Sequence, residues 1–193
     1  AGDGGLETTL AVLHALDAAG ACCVELGVPF SDPIADGPLL QAAADRALAD
    51  GTTLDGILSM LRQFRAASEL PVALMSYANP LLRRGEETLC RDAARAGADA
   101  LIVPDLPVEE SASLREAALR HGLCPISFVA PTTSAARLDA AAAASRGFLY
   151  VGGRTGVTGA VTELDAAAMA FLGRVRAHSA LPLAVGFGLR TRA

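Results

Sequence analysis

The chain has 193 residues, a net charge of −5, and 52% hydrophobic, 19% charged and 4% aromatic residues. That length suits one domain with a substantial core, and the evenly spread apolar residues exclude a disordered tail. No apolar run reaches the ~18 residues needed to cross a bilayer, no basic-then-apolar segment opens the chain, and no basic stripe offers a nucleic-acid footprint.

Two periodicities alternate along the chain. It opens with Ala1-Gly2-Asp3-Gly4-Gly5, a strand-to-helix loop in character, followed by an apolar helix face made of Leu6, Leu10, Leu13 and Leu16, with Gly20 as its C′ residue. Residues 22–26 are the first of six short apolar runs; the others are 72–77, 100–104, 126–130, 148–152 and 181–186. They read as parallel strands buried on both faces. Between them, residues 38–49 leave room for an extra helix, and Leu54, Ile57, Leu58, Leu61 and Phe64 share a helix face. Ala-rich helices are expected at 88–96, 111–120 and 135–144, and Leu164, Phe171, Leu172 and Val175 make a last apolar face running towards His178. Strand–helix units recurring in this way predict an α/β fold with a parallel sheet. With about six strands visible, and fewer residues than the ~250 typical of an eight-unit barrel, the expectation is a (β/α)8 TIM barrel truncated at both ends. Residues 1–193 then form a single, incomplete domain.

Cys22, Cys23, Cys90 and Cys124 form no Cys-x-x-Cys pair and read as small buried residues in a reducing compartment, hence a cytoplasmic protein. His14, His121 and His178 lack metal-ligand spacing and read as helix-surface or helix-end residues. No metal site is expected.

The most informative stretch is residues 25–38, Glu-Leu-Gly-Val-Pro-Phe-Ser-Asp-Pro-Ile-Ala-Asp-Gly-Pro. Glu25 ends an otherwise apolar strand, and in a parallel barrel such ends floor the active site. Partial desolvation there raises a carboxylate's pKa and suits it to proton transfer near neutrality. The competing reading is a structural ion pair with a barrel Arg. Asp36, in a Pro- and Gly-rich loop, either folds back over the barrel mouth to meet Glu25 or is a turn residue before Gly37. Gly156-Val157-Thr158-Gly159 and Gly186-Phe187-Gly188 follow successive late strands, where backbone N–H groups suit a phosphate. Asp105 reads as a loop brace, and Tyr77-Ala78-Asn79-Pro80 either lines the pocket or turns the chain.

Residues 25–38 resemble the signature of the tryptophan synthase alpha subunit family. The likeness continues in order through Tyr77-Ala78-Asn79-Pro80, Pro104-Asp105-Leu106-Pro107-Val108-Glu109-Glu110, Ala130-Pro131-Thr132, Gly156-Val157-Thr158-Gly159 and Gly186-Phe187-Gly188. The resemblance implies retro-aldol cleavage of indole-3-glycerol phosphate to indole and glyceraldehyde 3-phosphate, a lyase step of tryptophan biosynthesis. It assigns Glu25 as the acid–base group and Asp36 as the partner of the indole N–H. Tyr150, Leu40, Ile102 and Phe187 fall at pocket walls, and Thr158, Gly159 and Gly188 at the phosphate site. Asp32 and Pro33 fall in a loop that meets the beta subunit, so an α2β2 assembly is implied. No cofactor is expected on this chain, since pyridoxal phosphate belongs to the beta subunit. The chain departs from the family in carrying Gly152-Gly153-Arg154 where a Ser commonly precedes the Arg, and it lacks the family's first strand and the Gly-Ser pair of its eighth. These 193 residues alone are therefore expected to be poorly active and marginally stable. The alternatives are a stand-alone indole-3-glycerol phosphate lyase, and a catalytically weak barrel acting as allosteric partner of a beta subunit. A Schiff-base aldolase is a poor reading, because the chain contains no lysine.

Overall fold

In the computed structural model, residues 1–153 and 166–186 are described. Strands and helices alternate as expected. The strands are β1 (Val24–Gly27), β2 (Val72–Met75), β3 (Ala100–Ile102), β4 (Cys124–Ile126), β5 (Phe128–Val129), β6 (Leu149–Val151) and β7 (Leu183–Val185). The helices are α1 (Leu6–Ala18), α2 (Pro38–Ala49), α3 (Leu54–Arg65), α4 (Ala78–Arg84), α5 (Glu86–Ala96), α6 (Ala112–Arg120), α7 (Ala135–Ala144) and α8 (Ala166–His178). Among the described residues every strand pairing is parallel, in the order β1-β2-β3-β4 and then β5-β6-β7.

The fourth of the six expected strands is split. It begins two residues earlier than its apolar run, at Cys124, and breaks at Ser127, whose backbone N–H donates to Ser145 Oγ at 2.8 Å. The first half pairs with β3 and the second with β6. Helix α4 is an addition to the sequence reading. Pro80 falls in its first turn, where a missing N–H costs no intrahelical bond. Leu164, expected on the face of α8, lies outside the described residues.

Parity along the strands separates two layers. Val24 and Leu26 of β1, Val72 and Leu74 of β2, and Leu101 of β3 point outward to a core shared with α1, α3, α5 and α6. Ile57, Leu58, Leu61 and Phe64 of α3 are all buried there, each contributing about 1.5–3 kcal/mol. Thr53 caps that helix, its side chain accepting from Gly56 N at 3.1 Å. A second core joins β5 and β6 to α7 and α8. Arg84 at the end of α4 pairs with Asp55 of α3 at 2.8 Å and Asp92 of α5 at 2.7 Å, tying three helices together.

Three expectations change. Strand β1 is not buried on both faces: Val24 and Leu26 are buried, whereas Glu25 and Gly27 are exposed. On α1 only Leu13 is buried, and Leu16 is 40% exposed. Leu16 and Val12 line a groove of about 530 Å³ along the outer edge of β1, where no described strand pairs. Of the cysteines only Cys90 is buried. Cys22 is exposed in the turn before β1, and Cys23 and Cys124 are half-buried, packing against the barrel interior. The histidines match their reading: His14 lies on α1 against the Phe64 ring, and His121 and His178 end α6 and α8 beside Glu87 and Asp139.

Candidate functional site

The inward face of the sheet is built in registered layers. Glu25 pairs across to Ala73, Ala73 to Ala100 and Ala100 to Cys124; one step further along run Gly27, Met75, Ile102 and Ile126. The small residues in the first layer leave space around the only charged side chain in it. From the other half of the barrel, Phe128 and Tyr150 are registered neighbours whose rings stack at 5.2 Å.

Glu25 meets a tyrosine rather than an arginine. The Tyr150 hydroxyl hydrogen-bonds to its carboxylate, and no ion pair to Glu25 occurs among the described residues. Glu25 is exposed and lines the groove beside the outer edge of β1, yet its surroundings displace enough water to push its carboxyl above the ordinary value of 4.5, an effect that the Tyr150 bond partly offsets. Tyr150 is in turn pushed well above the usual phenol range by burial and by the negative charges of Glu25 and Asp36.

Asp36 reaches this position because its loop is held in place. Asp36 N donates to Pro33 O at 3.0 Å, and Gln41 Nε2 donates to Asp36 O at 2.9 Å. The Tyr77 hydroxyl donates to Asp36 Oδ2 at 2.9 Å and accepts from Ala35 N at 3.1 Å. Tyr77 is itself buried at the exit of β2, 5.5 Å from the Phe30 ring. Asp105 is the brace that the sequence suggested: its Oδ1 accepts from Ala78 N at 2.9 Å and fixes the start of α4 beside Tyr77.

Of the other expected site residues, Ile102 is fully buried on the inward face with Ala73, Ala100 and Ile126, and Tyr150 packs against that group. Leu40, in the first turn of α2, is 53% exposed. Asp32 is exposed and accepts from Ser31 Oγ at 2.6 Å. Pro33, in the same loop, is buried within the chain. The loop presents Asp32 and Ile34 instead, the latter 79% exposed. Thr158, Gly159, Phe187 and Gly188 lie outside the described residues, as does most of the expected phosphate site. Among the described residues no group of three or more His, Cys, Asp or Glu side chains could hold a metal, and no helix is long and apolar enough to cross a membrane.

Three contributors escaped the sequence reading. Phe128 was seen only as part of a strand, and Tyr77 was left open. Gly186 was read as part of a phosphate loop, but its lack of a side chain matters for Tyr150: a Cβ there would fall inside the tyrosine hydroxyl and ring. One signal was available. The chain has only two tyrosines, and each contacts a carboxylate of this site.

The chain is 50% identical over 192 residues to the tryptophan synthase alpha chain of Alkalilimnicola ehrlichii, covering 98% of this chain and 70% of that one. It is 49% identical over 189 residues to the corresponding chain of a Synechococcus species, with coverage of 98% and 70%. Among solved structures, a chain from the tryptophan synthase α2β2 complex of Pyrococcus furiosus superposes with a TM-score of 0.92 at 37% identity, covering 98% of this chain and 76% of that chain. The alpha subunit from Legionella pneumophila gives a TM-score of 0.89 at 41% identity, with coverage of 99% and 71%. The family model described as tryptophan synthase alpha chain matches residues 1–193. On these grounds the chain belongs to the tryptophan synthase alpha chain family.

Proposed function

We propose that this chain is a lyase subunit that cleaves indole-3-glycerol phosphate to indole and glyceraldehyde 3-phosphate in tryptophan biosynthesis. The observation that carries this reading is Glu25 on the inward face of β1 in register with β2, with Asp36 held by the Tyr77 hydroxyl at the exit of that same β2. Retro-aldol cleavage needs a group that protonates the indole carbon bearing the side chain and then accepts the hydroxyl proton as the carbon–carbon bond breaks. A carboxyl raised above its ordinary value, as Glu25 is, suits that exchange near neutral pH. The ring then becomes a cationic indolenine, and Asp36 stabilises it through the ring N–H. Because this charge develops only along the reaction path, a fixed carboxylate favours the transition state over the ground state.

In this reading Tyr150 orients Glu25, while Ile102, Leu40 and Phe187 bound the indole. Thr158, Gly159 and Gly188 hold the phosphate through backbone and hydroxyl donors. Asp32 faces the beta subunit in an α2β2 assembly in the cytoplasm, and the 79% exposed Ile34 beside it adds apolar surface to that contact. Pyridoxal phosphate resides on the beta subunit.

Incubation of the purified chain with indole-3-glycerol phosphate, with and without a beta subunit, tests this proposal. Indole and glyceraldehyde 3-phosphate should appear in equal amounts, faster when the beta subunit is added. A folded chain that releases neither product under both conditions contradicts it.

A further inference from the structure

Behind the strand break at Ser127, between α6 and α7, lies a cavity of about 220 Å³. Its walls include Leu114 and Ala118 of α6, Ala141 and Ala144 of α7, and Pro125 and Phe128 of the sheet. It persists because two separate hydrophobic cores meet here, and the alanine side chains are too short to close the gap between them. None of Glu25, Asp36, Tyr77 or Tyr150 lines it.

Four charged groups face the cavity: Asp105, Glu109, Arg115 and Arg137. Asp105 is occupied by the N–H of Ala78, and Glu109 by Arg137 at 2.7 Å. Two neutral polar groups are also engaged, since Ser111 Oγ donates to Val108 O and Thr133 Oγ1 accepts from Ala130 N, both at 2.9 Å. Arg115 is different. It is half-buried, and among the described residues its guanidinium has neither an ion pair nor a side-chain hydrogen bond. A half-buried guanidinium at the rim of a cavity, with no protein partner among the described residues, is free to pair with an anion that enters it.

We infer that this cavity binds a small amphipathic anion, an aromatic carboxylate of about the size of benzoate, with its carboxylate on Arg115 and its ring among Leu114, Ala141 and Phe128. An apolar cavity of about 150 Å³ accepts benzene in another protein, so this volume holds one ring and a carboxylate. The site also communicates with the barrel. Phe128 stacks on Tyr150 at 5.2 Å, and Tyr150 bonds Glu25, so an occupant that moves Phe128 disturbs the acid site.

Titration of the full chain with benzoate, monitored through the amide NMR signals of α6, α7 and Phe128, tests the inference, with toluene and acetate as comparison probes. Benzoate should bind saturably, and toluene and acetate at least ~10-fold more weakly, as expected when the apolar body and the charge each contribute over 1 kcal/mol. Arg115→Gln should weaken benzoate by at least ~10-fold, the typical effect of losing a hydrogen bond to a charged group, and leave toluene unchanged. Ala141→Leu, which fills the cavity, should abolish both, and Arg115→Gln alone suffices if that variant does not fold. Benzoate binding that Arg115→Gln leaves intact, signal changes confined to the Glu25 side of the barrel, or no saturable binding at all would overturn it.

Discussion

The Tyr77 hydroxyl bridges Asp36 Oδ2 and the backbone N–H of Ala35, at 2.9 and 3.1 Å, and so latches the loop after β1 to the exit of β2. The loop that carries Asp36 is thus ordered by the chain's own side chain. Tyr77→Phe removes both bonds while keeping the ring against Phe30. A hydrogen bond to a charged group contributes about 1.5–3 kcal/mol, so kcat/KM for indole release should fall by roughly 10-fold or more, with an unchanged circular dichroism spectrum. Unaltered kinetics would mean that the latch has no part in positioning Asp36.

The Glu25–Tyr150 pair gives a pH prediction with a definite sign. Burial raises the Glu25 carboxyl above 4.5 and the Tyr150 bond lowers it. Replacing Tyr150 with Phe removes the lowering partner, and Glu25 must carry its proton to protonate the indole carbon, so the limb on which kcat/KM falls with rising pH should move to higher pH. A limb that stays in place or moves down would detach Glu25 from that limb.

Stability should respond to Glu25 in a pH-dependent way. A carboxyl whose folded pKa is raised contributes stability that is fully present below its unfolded value and lost as pH rises through the folded value. Glu25→Gln should therefore melt higher than the parent at neutral pH, and the difference should close at and below about pH 4.5. Thermal melts across that range provide the check. A Glu25→Gln protein that melts lower at neutral pH would show that the charged carboxylate is stabilised by its surroundings.

Gly186 supplies a steric test. A Cβ at this position would overlap the Tyr150 hydroxyl and ring, and the ring cannot retreat freely because Phe128 is stacked on it. Gly186→Ala should displace Tyr150 and lower activity by at least ~10-fold, as small misplacements of catalytic groups do. Activity at the parent level would indicate that Tyr150 can be moved without cost to catalysis.

Much of the fold was legible because strand exits and helix faces leave local patterns: α2 and α7 match their expected bounds, and the six apolar runs became the strands. The split at Ser127 was not legible, since it depends on Ser145 reaching in from the end of α7, a tertiary contact with no local signature. The exposure of Leu16 and Cys22 likewise depends on what pairs with β1, which periodicity cannot report. In the site, Glu25 was visible as an acid in an apolar run, although it lies second in β1 and not at its end. Tyr77 was not, because its role depends on the fold of a loop 41 residues away in sequence.

The most direct measurement is the rate of indole release from indole-3-glycerol phosphate, with a beta subunit added, by the parent chain, Glu25→Gln and Asp36→Asn. The account predicts that Glu25→Gln lowers the rate by ~100-fold or more, the usual contribution of a positioned acid–base group, and that Asp36→Asn lowers it substantially, with both variants folded. Indole release by Glu25→Gln at the parent rate would contradict it.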